Sequence, residues 1–250
     1  MDELEKEIKD VIKPLSGNVS VYVKYLLRNE VLEINGRKQM DAASVIKLSI
    51  LCEFYKQVKK NTIDTNEWIQ VNESNIVDGS GVIKLLHHHT KYTVYDLAKL
   101  MIVVSDNSAT NEIVDMMGWE TVEKYMKELS LPDITFRHKM MITAGRGDNL
   151  ITANNIGILL EKIYTNSVIG SDEMLAILKG QRLRNYLPKL LPKDVPIANK
   201  TGSLEDTLHD VGIVFSDNPF VFVFLSEGQT SREETGEVLS QCAKLCFARH

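Results

Sequence analysis

The chain has 250 residues, 44% of them hydrophobic and 25% charged, with a formal net charge of −5. Such a composition suits a folded protein with a sizeable core, in one large domain or two interleaved ones. It carries no basic run to meet phosphates, which excludes nucleic acid as the expected partner, and no apolar stretch of the roughly 18 residues a membrane span needs.

At the N-terminus, residues 1–9 are charged and lack a signal-peptide core, so the chain as written reads as cytoplasmic; a recloned mature form of a secreted or periplasmic protein would read the same way. Leu4, Ile8, Val11 and Ile12 sit at helical spacing and predict a helix over 3–12. Residues 19–27 read as a strand and 31–34 as its partner across Arg28, Asn29 and Glu30. The segment 42–59 is apolar nearly all round and predicts a buried helix. Thr93 with Asp96 three residues on is a capping box opening another helix. Further helices are predicted over 109–117 (stopped by Gly118), 121–129, 154–164 and 172–179. After Pro196 the pattern changes to strands at 197–201, 211–215 and 220–225, the last two joined by a hairpin around Asp217, Asn218 and Pro219. A last helix covers 232–247. Strands at both ends and helices between them predict an α/β (α+β) fold with one mixed, mainly antiparallel sheet and an inserted all-α domain. The sheet domain is expected over 1–41 and 190–250, the helical one over 42–189.

Three short motifs occur in order: Ser44-Val45-Ile46-Lys47, Ser105-Asp106-Asn107 and Lys200-Thr201-Gly202. Each alone has an ordinary structural reading, as a helix start, an N-cap cluster and a strand end. Together, in order and on suitable elements, they point to nucleophilic catalysis. A serine hydroxyl needs a base to take its proton. Residues three apart on a helix share a face, which puts Lys47 beside Ser44. Burial and a nearby cation such as Lys200 would both lower the Lys47 pKa towards that of a working base. Ser105 supplies a hydroxyl that could hand a proton to a departing nitrogen. Asn107 offers an amide for a substrate carbonyl. Lys200 and Thr201 suit a substrate carboxylate. Gly202 leaves the backbone open to close approach, and the N–H groups of Ser203 and Ser44 would make an oxyanion hole.

With these motifs the chain resembles the class A β-lactamases and their penicillin-binding serine-hydrolase relatives. The stretches Val77-Asp78-Gly79-Ser80-Gly81, LAKLMIVVSDNSATN (97–111) and His209-Asp210-Val211-Gly212-Ile213 extend the resemblance along nearly the whole chain. It implies a five-stranded sheet flanked by helices plus an all-helical domain, with the active site between them. It further implies that Ser44 is acylated, Lys47 is base, Ser105 relays a proton, Asn107 binds the substrate amide, and Lys200 and Thr201 bind the carboxylate. No metal or cofactor is implied, and a monomer acting on a small-molecule substrate is expected. One departure stands out. The class A loop motif E-x-x-L-N supplies a glutamate that activates the deacylating water, whereas residues 137–149 here contain no glutamate. Deacylation should therefore be slowed more than acylation, and the site should be roomier. His138 and Asp148 are the residues of this loop that could substitute.

The remaining chemistry-bearing residues read as structural. Cys52, Cys242 and Cys246 form no CxxC pair and are expected as reduced, buried thiols. His87, His88 and His89 are adjacent, so they cannot share a chelating helix face and are expected in a loop. His209 is equally suited to facing the site or packing. Trp68 and Trp119 are expected as packing residues, and Met101, Met116, Met117, Met140 and Met141 as core filling, with the last pair also able to line the cleft. Glu73 and Asp78 are expected as loop residues. The functions in competition are a β-lactamase, a D-Ala peptidase, amidase or esterase of the same fold, and a β-lactam-binding sensor domain.

Overall fold

The computed structural model describes residues 1–143 and 145–249. The chain opens with helix α1 (Asp2–Ile12), followed by strands β1 (Asn18–Tyr25) and β2 (Glu30–Ile34) and the short β3 (Met40–Asp41). A 3₁₀ turn, Ala43–Ile46, leads into α2 (Lys47–Lys59). A two-stranded ribbon, β4 (Trp68–Gln70) with β5 (Lys91–Thr93), precedes α3 (Val94–Val103), α4 (Asn107–Met117) and α5 (Glu120–Glu128). Strand β6 (Leu150–Ile151) pairs back onto β3. Then come α6 (Ala153–Tyr164), α7 (Ser171–Lys179), β7 (Ile197–Ser203), β8 (Leu208–Val214), β9 (Phe220–Glu227) and α8 (Arg232–Phe247).

The main sheet has five strands in the order β2-β1-β9-β8-β7, every neighbouring pair antiparallel. Both chain ends build it, as the element order predicts. The central β8 and β9 are apolar and buried almost throughout, because helices cover both faces. On one face α1 and α8 bury Leu4, Ile8, Leu239, Cys242 and Cys246 against Phe220, Phe222 and Phe224. On the other, α2, α3, α4 and α6 pack into a larger core that includes Val211, Val221 and Val223. The three cysteines are free and buried.

Local chemistry sets the helix ends. Thr93 and Asp96 form the reciprocal capping box, and Asp106, Thr152 and Ser231 cap α4, α6 and α8 through their side chains. Gly118 ends α4 at φ 81°. Two expectations are corrected. Trp68 is 64% exposed, because no layer covers the β4–β5 ribbon, and Trp119 carries the Arg146 guanidinium 4.8 Å over its ring on the surface. Met141 is 59% exposed at φ 61° rather than core filling, while Met101, Met117 and Met140 are buried. His87, His88 and His89 lie exposed in a loop. No helix among the described residues is long and apolar enough to cross a membrane.

Candidate active site

Ser44 lies on the 3₁₀ turn ahead of α2, not in the first turn of an α-helix as the sequence pattern predicts. The cause is local. The Asp41 carboxylate accepts the Ala43 N–H at 2.8 Å and holds Ala43 at φ 42°, which no α-helix accommodates. The tighter turn has a benefit, since in a 3₁₀ helix residues i and i+3 eclipse. The Lys47 N–H bonds back to the Ser44 carbonyl, which puts the two residues on one face of the turn.

Lys47 is fully buried, and its Nζ donates to the Ser105 carbonyl (2.8 Å), to Asn107 Oδ1 (2.8 Å) and towards Ser105 Oγ (3.2 Å). From the opposite side Lys200 Nζ, equally buried on the edge strand β7, reaches Ser105 Oγ at 2.9 Å and the Thr201 carbonyl at 2.7 Å. The Ser105 hydroxyl is thus gripped between two amines. Two buried cations cannot share so small a space. Burial first, then the charge of Lys200, holds the Lys47 pKa well below the usual lysine range. Burial pushes Lys200 down to about 7, opposed by Asp210. Burial and the Lys200 charge both favour the neutral amine at Lys47, whose two hydrogens would serve the Ser105 carbonyl and Asn107 Oδ1 and whose lone pair would face Ser105 Oγ.

Ser105 adopts φ 55°, the left-handed region that costs a serine about 1–2 kcal/mol. That conformation reverses the chain between α3 and α4 and turns the Ser105 carbonyl onto Lys47. Asp106 caps Ala109 with one carboxylate oxygen and accepts the Val82 and Ile83 N–H groups with the other. Asn107 donates through Nδ2 to the Asp78 carbonyl at 3.0 Å, and its backbone N–H to that of Ser80. Asp106 and Asn107 together pin the 78–83 loop over the site. Gly81, at φ +116°, is required there, since a Cβ would fall 2.3 Å from the Asp106 carboxyl.

A Cβ at Gly202 would meet Val45, Ala43 and the Ser44 nitrogen at 3.1–3.2 Å, so the Ser44 turn also needs the missing side chain. Close packing of β7 on the turn brings Ser203 beside Ser44. Both line a cleft of about 350 Å³ with Asp41, Asn107, His138, Met140, Met141, Asp148, Asn149 and Leu204. Thr201 is buried next to Lys200. His209 is buried and structural: its Nδ1 accepts the Ser226 N–H and its Nε2 donates to the Asp41 carbonyl, anchoring the strand that enters the Ser44 turn.

Three supporting residues carry no signal in their sequence spacing. Asn149 is buried, and its Oδ1 accepts the Arg137 and His138 N–H groups while its Nδ2 donates to the His138 carbonyl. Its own carbonyl accepts the Ala42 N–H at 2.7 Å, which ties Asn149 to the Ser44 turn. Asn111 clamps both backbone groups of Met140. Asp41 shapes the turn as described. Among the described residues no group of histidine, cysteine or carboxylate side chains is arranged to hold a metal.

A family model described as the beta-lactamase enzyme family matches residues 3–249. Beta-lactamase BRO-1 of Moraxella catarrhalis is 22% identical over 96% of this chain and 83% of its own length. The beta-lactamase of Sphaerobacter thermophilus superposes with a TM-score of 0.92 at 21% identity, covering 98% of this chain and 96% of that one. PBP-A superposes with a TM-score of 0.91 at 23% identity, covering 99% and 95%. Those two likenesses establish the fold, and the family model spans the chain nearly end to end. The chain belongs to the beta-lactamase enzyme family, hydrolases of small-molecule substrates.

Proposed function

We propose that the protein opens the amide of a carboxylate-bearing β-lactam through an acyl-enzyme on Ser44. The observation that carries this reading is the Ser105 hydroxyl held between the buried amines of Lys47 and Lys200, beside the Ser44 turn. Lys47, on the same face of the turn as Ser44, takes the hydroxyl proton as Ser44 Oγ attacks the carbonyl carbon. The N–H groups of Ser44 and Ser203 face the oxygen that becomes negative. Ser105 passes a proton from Lys47 to the departing nitrogen. Lys200 and Thr201 hold the substrate carboxylate, and the remaining donor capacity of the Asn107 amide holds its side-chain carbonyl.

The wall formed by 137–149 offers no glutamate to activate water, which supports slow deacylation. A D-Ala peptidase, amidase or esterase that β-lactams merely acylate is the second reading, favoured by that same open wall. Intact-protein mass spectrometry during turnover of a chromogenic cephalosporin tests both, with Ser44→Ala as control. Many turnovers with a transient adduct support the β-lactamase. A one-equivalent burst with a persistent adduct supports the second reading. Neither adduct nor colour in the wild type would rule out the β-lactam chemistry.

A further inference from the structure

We infer that His138 is the general base that activates the deacylating water, in place of the glutamate this chain lacks; the inference rests on the acyl-enzyme reading above. His138 lines the same cleft as Ser44. At about 350 Å³ that space would hold roughly a dozen waters at the ~30 Å³ each occupies in the liquid, enough for an acyl group and an attacking water.

The imidazole is set up as a base. Its Nδ1 lies 2.8 Å from the Lys139 carbonyl oxygen. A carbonyl only accepts, so Nδ1 carries the hydrogen, and in the neutral ring Nε2 is left with a free lone pair. The backbone beneath it is fixed on both sides by the Asn149 amide, which accepts the His138 N–H and donates to the His138 carbonyl. Asn149 also bonds to Ala42, so the spacing between His138 and the Ser44 turn is set by a buried side chain and one peptide. A base oriented by a third group and held at a fixed distance from the nucleophile is the arrangement general-base catalysis requires.

Asp41 and Asp148 share the cleft with His138. Asp41 is pushed up, by burial first and then by Asp148, while His138 pulls it down, so the three groups interact. On its other side His138 shares a groove with Arg137, Lys139 and Arg146. Asp148 itself is exposed, and no hydrogen bond among the described residues orients its carboxylate.

The step balances with water as the only co-reactant. His138 Nε2 takes one water proton as the water oxygen bonds to the acyl carbon. On collapse the carbon–Oγ ester bond breaks, and Ser44 Oγ regains a proton from the imidazolium or through Lys47. The product is the carboxylic acid.

The test follows the Ser44 adduct of benzylpenicillin by intact-protein mass spectrometry after excess ligand is removed, in wild type, His138→Gln, His138→Ala, Asp148→Asn and Ser44→Ala. His138→Gln is expected to acylate within about twofold of wild type, which shows that the site is folded, and to keep its adduct about 100-fold longer. Free imidazole is expected to speed decay of the His138→Ala adduct, which a merely structural histidine would not allow. Wild-type decay rates in both His138 variants overturn the inference, as does a lengthened adduct in Asp148→Asn alone. A wild-type adduct that never decays also overturns it, and leaves Ser44 as the nucleophile. A wild type with no adduct, matching Ser44→Ala, removes the acyl-enzyme reading and this inference with it.

Discussion

One side of the site is built from Lys47, Ser105 and Lys200, buried and joined through the Ser105 hydroxyl; on the other, the wall that holds His138 leaves Met141 and Asp148 exposed and His138 half-buried. Burial does the chemical tuning on the first wall, because desolvation is what holds two lysines below their ordinary range. The second wall is tuned by anchoring. Asn149 and Asn111 fix its backbone, while its side chains stay in reach of water. On the proposed acyl-enzyme reading, the contrast would divide acylation and deacylation between two parts of one site, the first needing a dry amine and the second a wet base.

The sharpest way to break this division is Ser44→Ala. It is expected to lower kcat/KM by at least ~10³-fold and to abolish the adduct in mass spectrometry, with the Tm nearly unchanged. Next in size is Lys47→Met, which keeps bulk but removes the base. Stopped-flow acylation should slow by about 10²–10⁴-fold. Should the adduct instead form at the wild-type rate and only decay more slowly, the buried wall would not be the acylation wall.

The pH dependence separates the two lysines on the buried wall. Lys200 is a cation below about pH 7 and neutral above it, so kcat/KM for a carboxylate-bearing substrate should fall as pH rises through 7. Lys47 must be neutral, so on the acid side kcat/KM should fall as pH drops through its lowered pKa. A profile for free enzyme that rises steadily from pH 6 to 9 would contradict the assignment of Lys200 as the carboxylate anchor.

Two smaller effects test the packing behind the walls. Gly202→Ala puts a methyl group 3.2 Å from the Ser44 nitrogen and must displace the turn by a few tenths of an ångström. About a tenfold loss of kcat/KM is expected, since misplacement of about 1 Å costs about 10²-fold. His209→Ala leaves the Ser226 N–H and the Asp41 carbonyl without their partner. A stability loss of about 2 kcal/mol in urea denaturation is expected, with a milder effect on kcat.

The residues themselves dictate the element order, the helix caps and the three motifs. An almost wholly apolar segment marks α2, Thr93 with Asp96 marks the start of α3, and the change of pattern after Pro196 marks the strands β7, β8 and β9. Strands at both ends with helices between make one sheet the economical arrangement. Ser44, Lys47, Ser105 and Lys200, the residues of the proposed chemistry, stand out in the sequence because their motifs restrict residue type at short spacing, and the fold brings Lys47, Ser105 and Lys200 together. What lay beyond the sequence depends on contacts between residues far apart in the chain. The 3₁₀ turn under Ser44 arises because Asp41, anchored by His209 from β8, holds Ala43 in a conformation that an isolated helix would refuse. Asn149 gives no local signal, since an asparagine in a loop reads as a turn until its amide is seen closing on His138. The tuning of Lys47 and Lys200 is likewise a tertiary property: desolvation and charge act through space, and only folding brings β7 against Ser105.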